Sequence, residues 1–412
     1  MTRQFETVAM TENNPDWEKM TAREHPLYSR ADDIRSPFAR DYTRVLHSLA
    51  YRRLKHKTQV FYNAAGNDHI CTRIEHVQHV ESVSNTIAKC LGLNEELTRA
   101  IALSHDLGHA PFGHQGEKII GELTEKYLGT DFWHEKNGVY FVDRIELLED
   151  NEMKLRNLNL TYAVRDGIIS HCGELDKNAL KPRKDYFELS HFDAPGRYES
   201  ATWEGCVVKL SDKIAYLGRD IEDAERLGIL TGADRKELNA IAGGNNNRVV
   251  NTTVIMHSMI IDLCENSSVE DGLKLSKDMS KLLNEIKQFN YAHIYRHPVM
   301  EPFNRYSRLV IHELFDSLME YYHRFGSDVV ARLYENNFDR RAYVRNFAEW
   351  IVQYTDAGLA IPQKMQEISD RCHNVRIYGD LSDERKYARA VIDYIAGMTD
   401  LYAVNAYNEI LM

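Results

Sequence analysis

Apolar residues recur through most of this chain at the three- and four-residue intervals of amphipathic helices. Between residues 76 and 91, Val77, Val80, Val83, Ile87 and Leu91 share one face, and Gly92 ends the pattern. Asn94 then caps a helix through Leu97, Ile101 and Leu103 that Gly108 stops. A loop with Pro111 and Gly113 leads into a helix near His114–Gln115. Residues 206–224 carry Val207, Val208, Leu210, Ile214, Leu217 and Ile221 at the same spacing. Further helices are expected over 249–264, 272–289, 306–323, 327–336 and 340–355, with a long C-terminal one over 385–410. Ser36 and Pro37 open a basic helix over 37–57. Strand signals are scarce. The best lies at 58–72, where Val60-Phe-Tyr62 and His69-Ile-Cys-Thr72 flank the turn-like Asn63–Asn67 as a small β-hairpin.

This predicts a mainly α protein with one hairpin. Residues 1–35 are polar and irregular and read as an extended N-terminal arm, followed by a core over 36–240 and a helical C-terminal part over 241–412. Gly243-Gly-Asn-Asn-Asn247 marks the boundary, and a single domain is also compatible. No repeat or low-complexity segment interrupts the chain.

Composition narrows the function classes. No apolar run reaches the ~18–20 residues of a membrane span, and the N-terminus lacks a signal-peptide core, so a cytoplasmic location is expected. Six scattered cysteines without a CxxC pair fit free thiols, not disulfides or a zinc ribbon. A net charge of −11 argues against nucleic acid as the main partner.

The chemistry concentrates at Ser104-His-Asp-Leu-Gly-His-Ala-Pro-Phe-Gly-His114, with Glu117 three residues on. His105 and Asp106 can both ligate one metal ion, and a hydrolytic site needs about three or four protein ligands with an open position. His76 opens the preceding helix, so an antiparallel pair can bring it beside them. Asp212 can add a carboxylate, and with Tyr216 and Asp220 it recurs every four residues along one helical stripe. Taken singly, a helix-terminal histidine is commonly a cap, such a stripe commonly a solvated face, and the basic run at 52–57 commonly a solvated helix.

The ordered set has a family resemblance. His76…His105-Asp106…Asp212 resembles the H…HD…D signature of HD-domain metal phosphohydrolases. Ser36-Pro-Phe-Ala-Arg-Asp41, Arg52–Phe61, Thr72-Arg-Ile-Glu-His76, His105–Glu117, Tyr295-Arg-His-Pro298 and Asp393-Tyr-Ile-Ala-Gly-Met-Thr-Asp400 are similar to the dGTP triphosphohydrolase-like family, over about residues 30–410. That resemblance implies hydrolysis of a deoxynucleoside triphosphate between the α-phosphorus and O5′, giving deoxynucleoside and intact triphosphate, with dGTP one candidate substrate. It implies His76, His105, Asp106 and Asp212 as metal ligands, and His114, Glu117 and His134 as catalytic residues. Around His134 the sequence departs from the commoner Glu-His-Asn pattern, since Glu135 and Lys136 precede Asn137. It also implies Arg53, Arg73, His109 and Lys213 as phosphate contacts, Gln59, Tyr216 and Asp220 as sugar contacts, and Tyr295 packing where a 2′-hydroxyl would clash.

A two-His, two-Asp set suits Mn²⁺, Fe²⁺, Co²⁺, Ni²⁺ or Zn²⁺, with Mg²⁺ accompanying the phosphates. Family membership implies a homo-oligomer, tetramer or hexamer, and a dNTP as allosteric activator. Two other readings stay open: an HD-domain nucleotidase or phosphodiesterase acting on nucleoside monophosphates or cyclic nucleotides, and a non-catalytic regulatory protein binding dNTP or single-stranded DNA.

Overall fold

The computed structural model describes residues 4–27, 32–61, 67, 69–173, 179–242, 252–335, 341–356 and 361–411. The protein is mainly α-helical, as the periodicity predicts. Its one small sheet pairs Leu147–Glu149 with Leu155–Asn157, antiparallel, with Leu148 opposite Arg156. Among the described residues, the expected hairpin is reduced to isolated β-bridges at its two ends, Thr58 and Thr72, with no longer strand between them. Two backbone donors there bond to carboxylates: Thr58 N to Asp400 Oδ2 at 2.9 Å, and Cys71 N to Asp223 Oδ2 at 2.9 Å. Residues 62–66 and 68 lie outside the described residues, as does the Gly243–Asn247 loop.

The chain divides into two compact units, and these are not sequential halves. The first comprises Met1–Leu46, Gln59–Asp106 and Leu160–Phe303; the second comprises His47–Thr58, Leu107–Asn159 and Asn304–Met412. Residues on both sides of the composition break at 240–250 fall in the first unit. The expected 37–57 helix is also broken: Pro37–His47 is followed by Leu49–Arg53, with Ser48 capping the second through Tyr51 N.

In the first unit, the helices Arg73–Leu91, Glu95–Ser104, Tyr162–Ser170, Trp203–Arg226 and Thr252–Asn266 surround a core that includes Val83, Ile87, Leu91, Val207, Leu210, Ile214, Leu217, Met259 and Leu263. The Glu75 carboxylate accepts from Thr72 N at 2.7 Å and starts the first of these helices. Gly92, at φ +84°, ends it. Asn94 caps the next through Leu97 N at 3.0 Å. The N-terminal segment is packed on this core and is not an extended arm. Phe5 is fully buried edge-on to Trp203, and Met10 N reaches the buried Glu204 Oε1 at 2.9 Å. Three apolar residues, Phe5, Ala9 and Met10, were too few to show a periodicity, yet all are buried.

In the second unit, the single C-terminal helix expected over 385–410 is two helices, Glu384–Ala396 and Asp400–Leu411. The break has a structural use. Lys57 Nζ donates to the carbonyl of Ala396, the last residue of the first of these helices, at 3.2 Å, and also to His109 O. Asp400 accepts from Phe112 N at 2.8 Å and from Thr58 N. The loop carrying His109 and leading to His114 is thus tied at two points to the C-terminal helices.

Gly108 does more than stop a helix. A Cβ there would lie 2.0 Å from His134 O and 2.2 Å from Gly138 N, both backbone atoms that cannot swing away. Gly108→Ala should cost about 3 kcal/mol, near the upper end for overpacking. Gly121→Ala, whose Cβ comes no nearer than 3.9 Å to Phe132 O, should be neutral or slightly stabilising. Urea midpoints at unchanged m-value measure both; equal midpoints for the two variants would contradict the close-contact argument.

Candidate metal centre

Three helices of the first unit bring the H…HD…D residues together. His76 lies in the first turn of Arg73–Leu91, His105 is the C-cap of Glu95–Ser104, Asp106 follows it, and Asp212 lies inside Trp203–Arg226. His76 Nε2 is 3.0 Å from Asp212 Oδ1 and 3.8 Å from Asp106 Oδ2. His105 Nε2 is 3.6 Å from Asp106 Oδ1 and 3.9 Å from Asp212 Oδ1. Ligands bound at ~2.1 Å around one ion stand about 3–3.5 Å from their neighbours, so these donors are near the required spacing.

The protonation pattern also fits a cation. His105 Nδ1 lies 2.7 Å from Ala102 O, an acceptor only, so in the neutral ring the proton sits on Nδ1 and Nε2 carries the lone pair. That Nε2 is buried without a hydrogen-bond partner among the described residues. Burial pushes the Asp212 carboxyl up, but the hydrogen bond and charge of His76, with the charges of His105 and His171, hold it at about 2. Burial also opposes charge on His76, and the Asp212 bond and charge reverse that, raising its pKa.

The second unit holds another cluster. Phe112, at φ +65°, caps the helix Gly113–Leu128 that presents His114 and Glu117. Glu117 is the hub. Its Oε2 lies 3.1 Å from His114 Nδ1, and its Oε1 accepts from His134 N at 2.8 Å and lies 3.0 Å from His134 Nδ1. His109 stacks on His134 with centroids 3.8 Å apart. Burial pushes Glu117 up, but the charge of His134, the bonds from His114 and His134, and the charge of His109 hold it far below the usual carboxylate range. An ionised Glu117 accepts the Nδ1 protons of both rings. The His114 side chain is 75% exposed, while His134 is buried. Despite the altered Glu135-Lys136 context, His134 is joined to the hub. Glu135 Oε2, buried with no hydrogen bond among the described residues, stands 3.5 Å from His134 Nδ1.

The remaining candidates divide. Arg73 is buried and pairs with Asp106 Oδ2 at 2.7 Å, so it braces a ligand. Its Nη2 also reaches Gln59 O at 3.4 Å, while Gln59 Oε1 is buried without a hydrogen bond among the described residues. Lys213 Nζ bonds Gly173 O at 2.6 Å. Tyr216 packs on the apolar core. Asp220 accepts from Tyr295 OH at 2.5 Å, joining two sugar-contact candidates. Burial lifts the Asp220 carboxyl to about 7, beyond what the Tyr295 bond and the charge of His76 offset. Arg53 belongs to the second unit and is ion-paired with Glu146, whose Oε2 also accepts from Ala50 N at 2.8 Å.

The sequence gives no individual role to His171, nor to Lys57 and Asp400 inside the quoted segments Arg52–Phe61 and Asp393–Asp400. His171 stands beside His105 and Asp106, but a lone histidine after an apolar helix gives no motif. Among the described residues, no helix is long and apolar enough to cross a membrane.

Comparison with known proteins agrees with this geometry. Residues 73–217 match the HD domain model, and residues 273–361 and 374–409 match that of the phosphohydrolase-associated domain. A deoxyguanosinetriphosphate triphosphohydrolase-like protein from Caldanaerobacter subterraneus is 34% identical over 92% of this chain and 86% of its own length. Proteins of the same description from Desulfatibacillum aliphaticivorans and Clostridium tetani are 39% and 33% identical, over 69% and 79% of this chain and 74% and 84% of their own. The HD domain implies a divalent ion, and the donors of the first unit fit one. With both domains matched and relatives similar over most of its length, the chain is a hydrolase that belongs to the deoxyguanosinetriphosphate triphosphohydrolase-like family.

Proposed function

We propose that this hydrolase cleaves a deoxynucleoside triphosphate at the α-phosphorus, releasing deoxynucleoside and inorganic triphosphate. The observation that carries the reading is the exposed His114 imidazole backed by an ionised Glu117. Breaking the O5′ bond expels an alkoxide, which needs a proton at the moment it leaves. A ring whose Nδ1–H is held by a carboxylate can carry a proton on Nε2 and deliver it there. The names of the relatives, deoxyguanosinetriphosphate triphosphohydrolase-like, support the substrate class.

His76, His105, Asp106 and Asp212 would hold the divalent ion; Mn²⁺, Fe²⁺, Co²⁺, Ni²⁺ and Zn²⁺ all suit the mixed nitrogen and oxygen set. When bound, such an ion polarises a phosphoryl oxygen and acidifies a coordinated water. Arg73 keeps Asp106 oriented. Asp220 and Tyr295 supply a hydroxyl-reading pair for the sugar, since a carboxyl near neutrality can accept or donate a hydrogen bond. Lys213, Gln59, Tyr216 and His109 are proposed substrate contacts. Arg53, paired with Glu146 through one guanidinium nitrogen, is a further proposed phosphate contact. Homo-oligomeric assembly, activation by a dNTP and a cytoplasmic location are further parts of this proposal.

The assay follows from the bond cut. Incubated with Mn²⁺, Mg²⁺ and the four dNTPs, singly and mixed, the protein should release triphosphate and deoxynucleoside. Orthophosphate or pyrophosphate as the sole product would contradict the cleavage position. His114→Ala should lower kcat by about 10²–10⁴-fold with a smaller change in KM.

Asp220 predicts a pH signature in protein stripped of divalent ions. Its folded pKa of about 7 exceeds the ordinary 3.8, so its contribution is fully present below the ordinary value and is lost as pH rises through 7. Asp220→Asn keeps an acceptor for Tyr295 and removes the buried charge. The variant should therefore gain stability over wild type between about pH 4 and 7, levelling near a ceiling of ~4 kcal/mol. A stability difference that is flat with pH, followed by urea melts, would contradict the assignment.

A further inference from the structure

The helices Glu95–Ser104 and Tyr162–Ser170 end in the same way. Each ends in Ser-His. The serine hydroxyl bonds back to the carbonyl four residues earlier, Ser104 to Ala100 O at 2.7 Å and Ser170 to Asp166 O at 2.6 Å. The histidine caps the helix, its Nδ1 on the carbonyl three residues earlier, His105 to Ala102 O and His171 to Ile168 O, both at 2.7 Å. In His105 that lock fixes the proton on Nδ1 and aims Nε2 into the ligand cluster. The same lock on His171 fixes the same tautomer.

The two ends are brought together by a close helix crossing. Gly167 stands one turn before His171, and a Cβ there would lie 2.5 Å from Ile101 Cγ2. The crossing leaves the rings of His105 and His171 edge to face, 4.9 Å apart. His171 is buried, and ligand atoms of His105, Asp106 and His171 all lie within 4.8 Å of one another. A helix cap alone would not require an imidazole beside a carboxylate that already has Arg73 as its partner. Two anionic carboxylates can neutralise a divalent ion, so a third neutral imidazole adds a donor without adding charge.

We propose that His171 is a further nitrogen donor of the metal centre, binding on the Asp106 side, in addition to His76 and His105. The inference rests on the metal-centre reading above. It is tested on full-length protein carrying [15N]histidine and loaded with Mn²⁺ alone, counting coordinated imidazole nitrogens by pulsed EPR. Wild type should show three, and His171→Ala should show two, with Mn²⁺ affinity about 10–100-fold weaker by chelator competition. Two nitrogens in wild type, or the same count and affinity in the variant, would overturn the inference while leaving the H…HD…D site standing. No coordinated nitrogen in wild type would overturn both. The wild-type count needs no variant to fold, and His171→Gln, which keeps a donor for Ile168 O, gives a second removal of the ring.

Discussion

The bond from His105 Nδ1 to the Ala102 carbonyl organises the first unit's chemistry. A neutral imidazole has one proton and one lone pair, and an acceptor-only partner decides which nitrogen has which. Here it leaves Nε2 bare inside a buried site, facing two carboxylates at 3.6 and 3.9 Å. A bare lone pair beside two anions, away from water, is unfavourable unless a cation completes it. The surrounding arrangement answers that constraint. Arg73 neutralises part of Asp106, and His76 leans on Asp212 at 3.0 Å. These contacts hold the donors near ion-binding spacing while sharing positive charge among side chains.

The second unit solves a different problem, holding an exposed imidazole steady. His114 sits at the start of a helix, where few neighbours restrain a side chain. Glu117 restrains it from within the same helix, one turn on, and also joins it to the buried His134. The helix start is fixed in turn by Asp400, which accepts from Phe112 N, the residue in the left-handed region. A residue in that region is strained unless its neighbours hold it, and a buried carboxylate on its amide does so. The break between the two C-terminal helices is what allows Asp400 to be there.

The elements that carry dense local signals were legible in the sequence. The ligand helices have capping residues, heptad-scale apolar spacing and a four-residue motif, and each of these is a local pattern. The contacts that failed to show were long-range. Asp400 and Phe112 are separated by 288 positions, and Met10 and Glu204 by 194. Nothing near Phe5 announces that it will be buried, and nothing near Thr58 announces that its amide will bond the carboxylate of Asp400. His171 was invisible for a related reason: a histidine after an apolar helix has many ordinary uses, and only its neighbours in space distinguish them. Even the division into units escaped, because each is assembled from three separate stretches of chain.

One helix shows how far environment can separate like groups. Asp212 and Asp220 stand two turns apart on Trp203–Arg226, and both are pushed upward by burial. Asp212 meets histidines that prefer it ionised, and falls to about 2. Asp220 meets the Tyr295 hydroxyl, a weaker stabiliser of charge, with Asp223 adding a repulsive one, and rises to about 7. The first is therefore a permanent anion, suited to a divalent ion. The second can exchange a proton near neutrality, suited to a sugar hydroxyl that both donates and accepts. A single helical stripe thus carries two buried carboxyls of opposite proton affinity, about 12 Å apart by helical rise.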